Sequence, residues 1–202
     1  YTLAIYQHHR FEDLAFGLTV DHLVDDLGYP ESVRGLSYDP SRVIRGLVVD
    51  KRHGNVLKLN RYNFVGRVMH GRHPLSEKRY QQLYRNQKIP LDSEDFSWLD
   101  TIFNLPDADL YMGLVDLLEK EGRSVDYRRV FDDVRSTMDR VHAEPHMKGR
   151  VLRDLEHYLP RDPLLPMVLH RFRSSGKRLF LLTNSYWNYT RRVMDYLLAG
   201  SL

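Results

Sequence analysis

The sequence predicts an α/β fold, and three observations carry that expectation. Residues 45–69 hold three short runs, at 46–49, 56–59 and 64–69, split by the turn signals His53-Gly54-Asn55 and Arg61-Tyr62-Asn63. That is the pattern of a hairpin meander. Several longer segments repeat apolar residues at helical spacing. Towards the end, residues 164–199 read as a helix, Gly176, a short apolar strand at 178–182, a polar loop and another helix. Such an order is half of a parallel α/β unit.

In chain order, residues 1–6 read as extended and 11–27 as a helix. Leu14, Leu18, Leu23, Val24 and Leu27 supply its apolar stripe, and Gly28 followed by Pro30 ends it. After the meander, 76–87 reads as a helix capped by Ser76. A stronger helix covers 106–121, with Pro106 in its first turn, Leu110, Leu114, Leu117 and Leu118 along one side, and Gly122 as its stop. Residues 126–142, 147–159, 164–174 and 186–199 complete the helices. There is no internal repeat and no low-complexity segment.

The chain carries 30 basic and 27 acidic residues, a net charge of +3, without a block of like sign. A basic balance, with pI about 9.0, suits a phosphorylated partner. It also raises a helical nucleic-acid-binding domain, but scattered charge argues against that, so no nucleic acid is expected. Cysteine is absent, which excludes a disulfide framework and fits a reducing compartment. No apolar run approaches the roughly 20 residues of a membrane span. The chain opens on Tyr1 in an apolar stretch and stops at Leu202, so a fragment of a longer protein is expected.

Four constellations can carry chemistry. Thr183-Asn184-Ser185 lies between the apolar strand and a helix start. Its hydroxyls, amide and backbone N–H groups make an anion site, or simply cap the helix. Arg135, Asp139 and His142 follow at spacings of four and three, on one stripe of a helix. Taken plainly they are a surface ion pair. As a site, the arginine can donate to O6 and N7 of a 6-oxopurine, and the aspartate can accept from its N1–H or from the 2-amino group of guanine. Adenine has no N1–H and would be rejected. Phe103-Asn104 precedes Leu105-Pro106; it is core plus cap, or a stacking face plus an amide for a base. Lys148 is a solvated lysine or a contact to phosphate or base. The pairs His70/His73 and His142/His146 have metal-like spacing but lack a completing carboxylate or cysteine.

Taken in order, several strings resemble one family. They are Tyr1-Thr2-Leu3-Ala4, Arg45-Gly46-Leu47-Val48, Gly54-Asn55-Val56-Leu57-Lys58 and His70-Gly71. Phe103-Asn104-Leu105-Pro106, Asp133-Val134-Arg135, Asp139 with His142, and Thr183-Asn184-Ser185 continue the series. The chain resembles the cytosolic purine (IMP/GMP) 5′-nucleotidase family of the haloacid dehalogenase (HAD) superfamily over nearly its whole length.

The resemblance implies a HAD-like, Rossmann-type core with an inserted mixed α+β cap. The core is expected at 1–64 and 150–202, and the purine-binding cap at 65–149. It implies a cytoplasmic, magnesium-dependent hydrolase that releases phosphate from purine nucleoside 5′-monophosphates through an aspartyl-phosphate. In the superfamily's Asp-x-Asp-x-Thr signature, the first aspartate attacks phosphorus and the second is general acid, then base. Tyr1-Thr2 resemble the last two positions, so both aspartates are expected just before residue 1, and the metal ligands outside residues 1–202. On the catalytic side stand Thr2, Thr183, whose hydroxyl holds the transferring phosphoryl group, and Asn184; Ser185 lies beside them. Phe103 and Asn104 match the base-contacting pair, and Arg135, Asp139, His142 and Lys148 match the cap-side contacts. Two departures stand out. Arg72-His73-Pro74 replaces an aromatic-rich stretch used by nucleotide effectors, and Tyr186 follows Asn184-Ser185 where an acidic residue is usual. The alternative is a non-catalytic nucleotide-binding or scaffold protein of the same fold. A homo-oligomer is left open.

Overall fold

The computed structural model describes residues 2–90, 92–99, 104–143 and 145–199. The chain divides into two compact units, one of Glu12–Ala143 and one of Tyr1–Phe11 with Glu144–Leu202.

The larger unit is built on a five-stranded sheet of order β4-β3-β2-β1-β5. Its strands are β1 (Leu47–Asp50), β2 (Asn55–Leu59), β3 (Val65–His70), β4 (His73–Pro74) and β5 (Phe96–Leu99). Every pairing is antiparallel. The expected meander is therefore present, and residue 65 falls at the start of β3, inside the sheet. Alternation along β1 sends Leu47 and Val49 to one face and Val48 and Asp50 to the other. Leu47 and Val49 pack with Phe16, Leu23, Leu110, Leu114 and Val134, which come from α1 (His8–Asp25), α3 (Leu105–Lys120) and α4 (Tyr127–Ala143). Val48 packs with Leu57, Val68, Tyr84 and Phe96 on the opposite face, beside α2 (Glu77–Leu83). With both faces covered, β1 is buried at all four positions, an apolar run of three that ends in the buried Asp50.

Two of the helices, α1 and α3, end where glycine permits a left-handed turn. After α1, Gly28 takes φ +72° and Tyr29 N–H donates to the Leu23 carbonyl at 3.0 Å. After α3, Gly122 takes φ +70° and Arg123 N–H donates to Leu118 at 3.0 Å. Both satisfy carbonyls that a helix end leaves open. On α4, Val130, Phe131, Val134, Thr137, Met138 and Val141 are buried at three- and four-residue spacing, so α4 lays one stripe against the core.

The smaller unit holds α5 (Pro145–Arg153), α6 (Leu155–Tyr158), α7 (Leu165–Ser174) and α8 (Trp187–Leu198). The single helix expected at 147–159 is two, because Asp154 leaves helical dihedrals (φ −141°, ψ 65°) and accepts from His157 N–H to start α6. Met147, Val151, Leu159, Val193 and Leu197 are its buried apolar side chains. Gln7 N–H donates to the Tyr158 carbonyl at 2.8 Å, and the Tyr6 and Tyr189 hydroxyls lie 2.6 Å apart. The strand expected at 178–182 is not formed: these residues carry no ladder pairing, and Phe180 and Leu182 are 87% and 89% exposed. An apolar run becomes a strand only when a neighbouring strand takes its N–H and C=O groups, and no strand lies in this unit among the described residues. Residues 2–6 likewise remain unpaired by any strand.

Candidate functional site

Two packed helices carry four of the expected base contacts, Asn104 at the start of α3 and Arg135, Asp139 and His142 on α4. Asp107 lies in the first turn of α3 and is fully buried. Arg135 crosses from α4, where Nη1 donates to Asp107 Oδ2 at 2.7 Å and Nη2 lies 3.0 Å from Asp139 Oδ1. Burial pushes the Asp107 carboxyl up to about 6, Arg135 pulls it down, and Asp139 adds to the rise. Its second oxygen, Oδ1, is buried without a hydrogen-bond partner among the described residues. Desolvation therefore outweighs the ion pair, as expected where one side of a carboxylate has no donor.

The remaining members of this corner are placed as follows. Asp139 is 61% exposed, so its own pairing with Arg135 contributes only about 0.3–0.5 kcal/mol. His142 Nδ1 donates to the Met138 carbonyl at 2.9 Å, which fixes the ring on the stripe of Arg135 and Asp139. Asn104 occupies the N-cap position of α3, yet its side chain makes no capping bond. Phe103 lies outside the described residues.

Lys148, Thr2, Thr183, Asn184 and Ser185 belong to the smaller unit. Thr183 Oγ1 accepts from Ser185 N–H at 3.1 Å, and Thr183 and Asn184 are exposed. Tyr186 stands at the N-cap of α8 without a side-chain capping bond, so the Thr183 hydroxyl closes a local turn instead of capping α8. Lys148 Nζ lies 5.1 Å from the centre of the Tyr186 ring. Thr2 is exposed, in chain outside any strand or helix. The loop 183–185 offers hydroxyls and an amide but no carboxylate, and no group of three or more His, Cys, Asp or Glu side chains that could hold a metal ion arises among the described residues. Magnesium prefers carboxylate oxygens, so the residues present do not fit that ion.

Asp107 was not singled out from the sequence, although a signal exists. Positions 107, 111, 114 and 118 follow helical spacing, and three of them are apolar. A carboxylate on that stripe is a buried charge in need of a partner. Among the described residues no helix is long and apolar enough to cross a membrane.

The family model described as the 5′ nucleotidase family matches residues 1–202. The chain is 34% identical over 206 residues to a 5′-nucleotidase domain-containing protein of Dictyostelium discoideum, covering 100% of this chain and 35% of that protein. It is 30% identical over 210 residues to 5′-nucleotidase domain-containing protein 2 of Rattus norvegicus, covering 98% of this chain and 38% of that one. The human protein of the same name is 29% identical over 210 residues, with 98% and 40% covered. The chain belongs to the 5′-nucleotidase family. It spans between 35% and 40% of the length of these relatives.

Proposed function

We propose that the full-length protein is a cytoplasmic purine 5′-nucleotidase that hydrolyses nucleoside 5′-monophosphates, with IMP and GMP preferred. The observation that supports this most is the Arg135–Asp107 bond of 2.7 Å. It ties the stripe of Arg135, Asp139 and His142 to the helix that Asn104 begins, three residues before Asp107. A guanidinium held between two carboxylates is pre-oriented to offer its remaining N–H groups to O6 and N7 of a 6-oxopurine. Asp139, exposed at the rim, is the acceptor for N1–H or a 2-amino group.

The phosphate side of the reading rests on Thr2, Thr183, Asn184 and Ser185, with Lys148 as a contact to phosphate or base. The attacking carboxylate, its acid–base partner and the magnesium ligands are assigned to parts of the full-length protein outside residues 1–202. The architecture proposed is a HAD-type core with an inserted cap, although residues 12–64, expected in the core, share one compact unit and one sheet with the expected cap. One compact unit is made from both ends of the chain, and the other from its middle, Glu12–Ala143. The test is phosphate release from IMP, GMP and AMP by the full-length protein, with magnesium and with EDTA. Release from IMP and GMP that EDTA abolishes is expected. A folded protein that releases phosphate from none of the three would remove the nucleotidase reading.

A further inference from the structure

Asp50, Asn55 and His70 stand opposite one another on three adjacent strands: Asp50 pairs with Asn55, and Asn55 with His70. Their side chains form one hydrogen-bonded chain. Tyr84 Oη donates to Asp50 Oδ2 at 2.9 Å, and Asn55 Nδ2 donates to Tyr84 Oη at 2.7 Å. Asn55 Oδ1 is then the acceptor, so His70 Nδ1 donates to it at 2.8 Å. His70 Nε2 lies 2.9 and 3.1 Å from the two oxygens of Glu119, which also accepts from Tyr127 Oη at 2.6 Å. On the other side, Arg52 Nε and Nη2 and His53 Nδ1 each meet Asp50 at 3.0 Å. Burial works to raise the Asp50 pKa, but its bonds from Arg52, His53 and Tyr84 outweigh that and hold the carboxyl below the usual range.

This network rims a cleft of about 380 Å³ that Arg79 of α2 completes and to which Leu75 and Leu83 give an apolar wall. That volume lies within the range of small-molecule sites. Gly54, at φ +69°, lets the β1–β2 turn lie on Tyr127; a Cβ there would come 2.5 Å from the ring. The rim is therefore built before any ligand arrives. Inside the network Asp50 is paired with Arg52, and Glu119 accepts from Tyr127 and meets His70. Among the described residues no hydrogen bond or ion pair engages the Arg79 guanidinium or His53 Nε2, and the Arg79 charge is felt at the Tyr127 hydroxyl on the cleft wall.

We propose that this cleft binds a small organic phosphate, its phosphate held by Arg79 and His53 and its carbon part against Leu75 and Leu83. Guanidinium and imidazole N–H groups both donate to phosphate oxygens in strong, charge-assisted bonds. The cleft is distinct from the Arg135 corner. On α3, Asp107 and Glu119 are twelve residues apart (107 to 119), which is about 18 Å along a helix. The site does not depend on the nucleotidase reading.

The experiment titrates full-length protein, carrying ¹³Cε1-labelled histidine, with inorganic phosphate, propylphosphonate and acetate. Propylphosphonate is a stand-in that a phosphatase cannot hydrolyse. The His53 signal is expected to move with phosphate, to move at lower concentration with propylphosphonate, and to ignore acetate. Arg79→Ala is expected to weaken the propylphosphonate response about tenfold, the effect of one lost charged contact. Arg79→Lys should retain part of it. Because Arg79 is exposed and makes no ion pair among the described residues, the melting temperature without ligand should change little. A His53 signal that stays still, or a response unaltered by Arg79→Ala, would overturn the assignment. Acetate acting as strongly as phosphate would overturn the phosphate class, and phosphate acting as strongly as propylphosphonate would overturn the organic part.

Discussion

Arg135 Nη1 donates to Asp107 Oδ2 at 2.7 Å, from a side chain 39% exposed to one that is fully buried. The bond joins the start of α3 to the middle of α4, and it is the only charge partner that Asp107 has among the described residues. Truncating Arg135 leaves a buried carboxylate unpaired. Arg135→Ala is expected to cost about 1–3 kcal/mol in denaturant unfolding, because Arg135 is partly exposed and an unpaired Asp107 can take up a proton. Adding Asp107→Asn should recover a large part of that loss. Asp139→Ala removes only an exposed pair and should stay within about 0.5 kcal/mol. An Arg135→Ala protein as stable as the parent would contradict the pairing.

The same carboxyl makes stability depend on pH. Its folded pKa of about 6 lies above the ordinary value of about 3.9, so between the two the folded state binds more protons than the unfolded. The stabilising share is complete below about pH 4 and is lost as pH rises through 6. Unfolding free energies of the parent minus those of Asp107→Asn should therefore fall by about 2–3 kcal/mol between pH 4 and pH 7. A difference that stays flat over this window would show that Asp107 titrates normally.

Local patterns in the sequence sufficed for α1 and α3, where a glycine stop and apolar periodicity coincide, for α4 from its apolar periodicity, and for the β1–β3 meander from its turn signals. They failed where a distant partner decides. Phe96–Leu99 is four residues among acidic ones, and it is a strand because β1 accepts it. Residues 178–182 look more like a strand and are not one, for want of a neighbour. At the candidate site, spacing puts Arg135, Asp139 and His142 on one helical stripe, and the family resemblance, not the spacing, gives that stripe a base-contacting role. Asp107 was not, since an aspartate in a first helical turn reads as an ordinary cap or dipole partner. The cross-strand row of Asp50, Asn55 and His70 needs the register, which the strings alone do not contain.

Gly71 illustrates a glycine with a steric duty. It takes φ +54°, and a Cβ there would lie 1.8 Å from Asp116 Oδ1, whose partner oxygen accepts from Arg72 N–H at 2.9 Å. Gly71→Ala must displace Asp116 as well as strain the turn. A loss of about 2–4 kcal/mol is expected in chemical denaturation, and Gly122→Ala, with open space around it, should lose less.

Tyr84 is buried between two polar strand residues. Tyr84→Phe removes the donor to Asp50 and the acceptor for Asn55 Nδ2. Two buried groups are left short, so about 1–3 kcal/mol is expected. Tyr62→Phe, at an exposed position, serves as the control and should be neutral.

The most direct test of the central claim compares kcat/KM for IMP with that for a phosphate ester lacking a base, in the full-length protein and in its Asp139→Ala variant. Asp139 is exposed, so the variant should fold. The account predicts a loss of about tenfold or more on IMP, the effect of one specific base contact, with the base-free ester nearly unchanged. Equal losses on both substrates, or no loss on either, would contradict a base-reading role for the α3–α4 corner.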